Sequence, residues 1–431
     1  MSKEAAPAGG RRRGRGVRPD LEARRSRVKG GRPVRDGPHV VVVGAGSTGA
    51  AVAHDLALRG FQVTVVERGE VGSGTTGRNH GLLHSGARYA VTDPAAAREC
   101  IEENRILRKI MPEGLELNGG YFLALAPEDM DFRRDFLEGC EAAGIPTREI
   151  PPDQLRRMEP RLSPKILGGV LVPDGVFEPY RFCLSFLASA QARGARVLAY
   201  HEVEGILVET GRAKGVRVRD RIRGRELTLR ADAVINAGGP WAAKIAATAG
   251  CRVPLTLAPG VMVAVGTRFS HRVVNRLAPP GDGDIIVPQR FSSVVGTTSW
   301  TVEDADFIPI PPDHVERMLE AGEAFFPGFR RQPLRGVFAV ARPLATPEGV
   351  ELDGGDGSER ALSRDFACKH HEQEGAAGLF SVTGGKTTTA RLMAEAVVDQ
   401  VGRWLGFERP CQTRTEVLLP PRRFFAERVV S

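Results

Sequence analysis

Paired cysteines, long apolar runs and any charge surplus outside the first forty residues are all missing from this chain. Its six cysteines, Cys100, Cys140, Cys183, Cys251, Cys368 and Cys411, lie far apart and form no CxxC or CxxH pair. Zinc and iron–sulfur ligation are therefore unsupported, and no metal is expected. Reduced thiols, most of them buried, fit a cytoplasmic protein. No apolar run approaches the ~20 residues of a membrane helix, so membrane contact is expected to be peripheral at most.

The formal charge of +8 resembles a nucleic-acid signal until it is located. Of the 60 Lys/Arg and 52 Asp/Glu, 12 and 4 fall in residues 1–38, which leaves 48 of each sign beyond. The surplus sits in a Gly/Arg-rich leader with RRRGRG at 11–16 and no helical periodicity, which reads as a disordered, solvated extension. No apolar segment follows its basic residues, so a secretory signal is excluded. No nucleic-acid partner is expected. The remainder, at 42% hydrophobic and 26% charged for the whole chain, is ordinary globular composition, and 431 residues allow two domains.

The organising stretch is VVVVGAGSTGAAVAHDLALRGFQVTVVE, Val40 to Glu67. Four valines read as a strand buried on both faces. Gly44, Gly46 and Gly49 open a helix from Ser47 to about Arg59, with His54 and Asp55 on one side and Ala51, Val52, Leu56 and Leu58 towards a core. Gly60 stops it, and Gln62–Val66 is a second buried strand ending in Glu67. In such a βαβ start Gly44 permits the tight turn, Gly46 lets backbone amides reach a pyrophosphate, and Gly49 lets helix and strand pack closely. The helix N-terminus favours phosphate. Glu67 is suited to a ribose hydroxyl, and an acid there argues against a 2′-phosphate.

Residues 69–93 form a polar, Gly-rich segment containing Arg78, His80, His84, Arg88 and Tyr89, whose composition argues for function. A helix is expected from Asp93 to about Met111, a strand over 119–125, a helix over 127–143, a strand over 167–172 and a helix over 179–193. Short alternating runs between 196 and 236 predict a β-meander that returns to the main sheet. Ala237-Gly238-Gly239 and Gly384-Gly385-Lys386 are two further strand–Gly–helix junctions. From about 253 to 340, strand-like pieces alternate with Pro-rich turns and a helix at 313–325, which reads as a separate antiparallel layer over the substrate. Two distant returns to one cofactor are laid out more like an FAD clamp than an NAD site.

GTTGRNHGLLHSGARYAVTDPAAARECIEENRILRKI (74–110) resembles the catalytic A-subunit of anaerobic, FAD-dependent glycerol-3-phosphate dehydrogenases, and the likeness continues through VPDGVFEPYRF (172–182), VINAGGPWAAKIA (234–246), ARPL (341–344), LSRD (362–365) and VTGGKTTTARLMAE (382–395). The resemblance implies an α/β fold: a Rossmann-type FAD-binding domain (38–115, 151–252 and 345–415) with a discontinuous antiparallel-sheet substrate or cap domain (116–150 and 253–344), a leader at 1–37 and a tail at 416–431. It implies oxidation of sn-glycerol 3-phosphate to dihydroxyacetone phosphate by hydride transfer from C2 to flavin N5. Electrons would pass to partner subunits and then quinone, in a cytoplasmic protein at most peripheral to the inner face of the membrane. The FAD set it implies is Gly44, Gly46, Ser47, Thr48, Gly49, Glu67, Arg68, Thr75, Thr76, Arg78, Asn79, His80, Gly81, Leu82, Val203, Ala237, Gly238, Gly384, Gly385, Lys386 and Thr387.

A doubly charged phosphate needs guanidinium forks or an ammonium, and by the resemblance Arg88, Arg342, Arg364 and Lys386 supply them, with Tyr89 adding a hydroxyl donor. Loss of the C2 hydroxyl proton needs a base or polarising group within about 3 Å. His84 is the chemically natural base, while Arg342 would instead stabilise the developing alkoxide; the sequence leaves both open. His80 is expected to orient the loop or hydrogen-bond the flavin. The chain departs from the family at Pro259, which stands where a Lys is usual, at Val340 for Gly and at Ala390 for Tyr, and it is expected to lack the family's usual cysteine-bearing C-terminal domain. Two other readings stay open: a related flavoprotein oxidising a 2-hydroxy acid or amino acid, with Arg342 on a carboxylate, and a non-catalytic flavin-binding subunit.

Overall fold

A computed structural model describes residues 37–346 and 365–426. The leader before Gly37, Arg364 and the tail beyond 426 lie outside the described residues.

The valine run forms the strand His39–Val43 inside a six-stranded sheet ordered Phe366–His370, Leu379–Gly384, Ala233–Asn236, His39–Val43, Gln62–Val66, Arg196–Leu198. Neighbours pair in parallel except Phe366–His370, which runs antiparallel at the edge. Alternate valines face opposite layers, as the two-residue strand period requires. Val40 and Val42 pack with Phe182, Phe186 and Val397, beneath the helices Ser47–Leu58, Pro179–Ala192 and Ala390–Leu405. Val41 and Val43 pack with Ile206, Val216 and Val218 of the three-stranded meander His201–Glu209, Arg212–Asp220 and Glu226–Arg230. A strand covered on both sides has no use for alternating polarity, which is why it reads as an unbroken run.

The first helix is buried all round rather than amphipathic. His54 and Asp55, expected on a side apart from the core, are both fully buried. Asp55 is neutralised by Arg59, which donates Nη2–H to it at 2.8 Å and Nη1–H to Asp399 at 2.5 Å. Arg391 likewise holds Glu103 from Nε at 2.8 Å and bonds the Thr413 hydroxyl at 3.0 Å, which ties the C-terminal segment to two helices.

The second sheet has eight strands, ordered Leu334–Ala345, Leu255–Val265, Ser292–Gly296, Ile285–Gln289, Val273–Arg276, Gly120–Ala124, Gly168–Val172, Arg148–Ile150. It is antiparallel except where Val273–Arg276 meets Gly120–Ala124. Helix Pro312–Phe325 crosses it, burying Met318, Leu319 and Phe325 against Val261 and Val263. Gly168–Val172 belongs to this sheet by its pairing with Tyr121 and Phe122, although the sequence groups it with the cofactor-binding segment 151–252.

Candidate active site

Where the carboxyl ends of the parallel strands meet the second sheet, a groove of about 930 Å³ runs along the molecule. Its floor is the glycine-rich turn. Gly44 has φ +102°, and a Cβ there would come within 2.6 Å of the Ala237 carbonyl oxygen. Gly49 does not line the groove; a Cβ on it would lie 2.0 Å from the Gly44 carbonyl oxygen, so its part is the close helix–strand packing. Thr76 braces the turn, its Oγ1 accepting the Ser47 amide at 3.0 Å. Glu67 is aimed by two amides, accepting from Ala45 at 2.8 Å on one oxygen and from Gly69 at 2.8 Å on the other.

Of the residues expected to hold the cofactor, Gly44, Gly46, Ser47, Thr48, Glu67, Arg68, Thr75, Thr76, Arg78, Val203, Ala237, Gly238, Gly384, Gly385, Lys386 and Thr387 line this groove. Four others do not. Asn79 turns its amide into its own loop, giving to Thr76 O at 2.7 Å and taking the Gly81 N–H at 2.7 Å. Leu82 is buried in a short strand paired with Val176. His80 and Gly81 sit under Gln289, whose Nε2 donates to the His80 carbonyl at 2.8 Å.

Sequence reading missed the far rim. Arg68 lies over the Trp241 ring at 4.3 Å, and the indole Nε1–H and the Arg68 guanidinium converge on Asp306 at 2.8 and 3.0 Å. Lys244 reaches Asp304 at 2.9 Å and Asp306 at 3.3 Å. The two aspartates come from the Pro-rich loop of the second sheet, and nothing local in EDADF marks them as partners of a helix some sixty residues earlier.

A cationic cluster lies beside the Lys386–Thr387 end of the groove. Lys386 Nζ sits 5.0 Å from the Tyr89 ring centroid, and that ring is 5.5 Å from His84. The His84 amide donates to Thr388 Oγ1 at 3.2 Å. Arg88 gives Nη2–H to Asp284 and to the Gly281 carbonyl, each at 3.3 Å, while its Nη1 is buried with no hydrogen-bond partner among the described residues. Arg342 donates Nε–H to Ala258 O at 2.9 Å, and from Nη2 to Pro259 O at 3.2 Å and to the Ser299 hydroxyl. Burial, then Arg88 and Arg342, lowers the His80 pKa to about 4. Burial, then His80, Lys386 and Arg88, holds His84 well below 6.5. Both rings are neutral at pH 7 because they are buried and cations surround them. Arg364 is outside the described residues. Val340, which faces Gly260 across the strand pair, is buried with Met262 and Val294.

Outside the groove, Cys251, His371 and Glu374 come together. His371 is already bonded to Glu374 at 2.5 Å and to the Ser381 hydroxyl at 2.8 Å, and Lys369 neutralises Glu374 at 3.1 Å. That closed polar set explains the cluster without an ion. No helix among the described residues is long and apolar enough to cross a membrane.

The glycine cradle, the paired amides on Glu67 and the length of the groove fit an extended dinucleotide: a flavoprotein-type Rossmann domain under a sheet cap. A family model described as FAD dependent oxidoreductase matches residues 39–400, and the chain belongs to that family. It is 40% identical over 384 residues to the A-subunit of the anaerobic glycerol-3-phosphate dehydrogenase of Escherichia coli, spanning 88% of this chain and 70% of that one. It is also 40% identical over 396 residues to the corresponding A1-subunit of Haloferax volcanii, covering 89% and 67%. Among solved structures, the glycerol-3-phosphate dehydrogenase of Bacillus halodurans complexed with FAD superposes with TM-score 0.66 at 25% identity, covering 91% of this chain and 71% of that one.

Proposed function

We propose that the chain oxidises sn-glycerol 3-phosphate to dihydroxyacetone phosphate. One observation carries the reading: a buried guanidinium nitrogen of Arg88, without a hydrogen-bond partner among the described residues, stands in a cluster with Lys386, Tyr89 and neutral His84. An orphaned buried donor costs about 1–3 kcal/mol, and a phosphate oxygen satisfies it. Lys386 adds an ammonium and Tyr89 a hydroxyl. Arg342, fixed by the carbonyls of Ala258 and Pro259, places a third positive charge without mobility. The names of the relatives support this substrate over a carboxylate.

The groove residues Gly44, Gly46, Ser47, Glu67, Gly384 and Gly385 would hold FAD, Glu67 by its ribose hydroxyls. When bound, FAD supplies the acceptor for the hydride that leaves C2. His84, kept neutral by its surroundings, takes the C2 hydroxyl proton as the carbonyl forms. Burial, then His80, Lys386 and Arg88, keep it unprotonated in the resting site, and Arg88, Arg342 and Lys386 hold the phosphate so that the hydroxyl faces the ring. Relatives that are named as one lettered component of a dehydrogenase support a place in a larger assembly, with electrons passed to partner subunits and a quinone and with peripheral membrane contact at most.

Product analysis tests this reading. FAD-loaded protein supplied with sn-glycerol 3-phosphate and a quinone analogue should release dihydroxyacetone phosphate. Turnover of 2-hydroxyglutarate or an amino acid, with none of the phosphoester, would refute it.

A further inference from the structure

Below the loop that carries His84 and Arg88 lies a buried carboxylate with no part in the chemical steps of the reaction. Asp174 sits in the turn between Gly168–Val172 and Gly175–Phe177, and its side chain is met by no ion pair among the described residues. One oxygen accepts the Ser85 amide at 2.7 Å and the other accepts Asn275 Nδ2–H at 3.3 Å. The fit is tight, since a Cβ on Gly120 would lie 2.6 Å from Asp174 Oδ2. Asn275 leaves its own Oδ1 buried and without a partner among the described residues while donating to Asp174 and to the Tyr121 carbonyl at 3.3 Å. Turning that amide over would aim its oxygen at the carboxylate, so the orphaned acceptor is explained by the charge beside it.

The same turn is tied to His84 by a second route. Asn104 Nδ2 donates to the His84 carbonyl at 3.0 Å and to the Pro173 carbonyl at 3.2 Å. Arg108 fixes that amide from Nε at 2.6 Å and bonds the carbonyls of Pro173 and Asp174 at 2.7 and 3.1 Å. With Thr388 on the His84 amide, the two peptide groups that flank His84 are held by three side chains, Thr388, Asn104 and Asp174, from three different segments.

We infer that Asp174 is a positioning residue, whose carboxylate on the Ser85 amide fixes the His84–Arg88 loop so that the base and the phosphate-binding guanidinium face one substrate. The inference rests on the proposed substrate. A carboxylate suits the place because two donors converge on it and a carboxylate only accepts. In Asp174→Asn one oxygen becomes an N–H₂: turned towards Ser85 it sets N–H against N–H and breaks the loop bond, and turned towards Asn275 it forces that amide to flip and give up Tyr121.

The test compares FAD-loaded wild type with Asp174→Asn. Anaerobic reduction by sn-glycerol 3-phosphate is followed for its limiting rate and half-saturating concentration, alongside FAD affinity, melting temperature and hydrogen exchange in residues 82–88. The limiting rate should fall ~10–100-fold, the scale on which a displaced catalytic group costs rate. Half-saturation should stay within about threefold and FAD affinity unchanged, with faster exchange confined to 82–88. A limiting rate within about twofold of wild type, a loss confined to FAD affinity, or unaltered exchange in 82–88 overturns the inference. Should Asp174→Asn not fold, Asp174→Ala, which removes the acceptor from the Ser85 amide without setting a new donor against Asn275, is judged by the same outcomes. A wild type that is not reduced refutes the proposed substrate instead, and the exchange measurement still decides whether Asp174 orders the loop.

Discussion

The Glu67 carboxylate accepts the Ala45 amide at 2.8 Å, so the acid ending the second strand is oriented by the turn that follows the first. Its other oxygen takes the Gly69 amide at 2.8 Å, and both oxygens keep lone pairs for a ribose. Glu67→Gln replaces one acceptor by a donor and sets N–H against N–H. At ~1–3 kcal/mol for a mismatched bond, FAD should bind about 5–150-fold more weakly. Calorimetric titration of the apoprotein checks this, and wild-type affinity in the variant would contradict it.

Arg88 lies outside the lining of the groove and inside the cationic cluster. Arg88→Ala should therefore raise the half-saturating concentration of sn-glycerol 3-phosphate by ~10–100-fold, the worth of a charge-assisted bond, and leave FAD in place. A variant purified without flavin would contradict that division of labour.

The pH dependence of flavin reduction follows from His84. Protonation removes the base, and burial together with His80, Lys386 and Arg88 holds its pKa well below 6.5. The limiting rate should therefore stay flat as pH falls through the ordinary histidine range and decline only in more acid solution. An acid limb centred at or above 6.5 would show that His84 is not the group that titrates.

His54 gives folding its own pH dependence. Both ring nitrogens are buried without partners among the described residues, edge-on to Phe186 at 5.6 Å, and burial followed by Arg193 lowers the pKa from 6.5 to about 3. Between those values the unfolded chain holds a proton that the folded chain does not. Stability therefore falls on acidification through that window, by about 1.4 kcal/mol per pH unit, and His54 contributes no slope above it. His54→Leu removes the proton site, so the drop in melting temperature between about pH 7.5 and about pH 5 should shrink. An equal drop in both proteins would contradict this.

Local chemistry made the first βαβ unit legible: Gln62–Val66 has the bounds read from its valines, and the helix over 179–193 ends one residue early at Ala192. Elements defined by partners elsewhere were not. Leu334–Ala345 contains Gly336, Arg342 and Pro343, which blur its alternation, yet it pairs along the length of Leu255–Val265. The assignment of Gly168–Val172 to the second sheet and the convergence of Arg68, Trp241 and Asp306 are likewise long-range outcomes with no mark in the nearby sequence. The cationic cluster joins residues near 84 to residues near 386, and the motif resemblance rather than periodicity brought them together.

The central claim is that this flavin site takes hydride from a phosphorylated alcohol held by arginine. Anaerobic mixing of the FAD-loaded protein with sn-glycerol 3-phosphate tests it most directly. The account predicts bleaching of the visible flavin band by the phosphoester and none by lactate or 2-hydroxyglutarate. A flavin left oxidised by glycerol 3-phosphate but bleached by a hydroxy acid would contradict it.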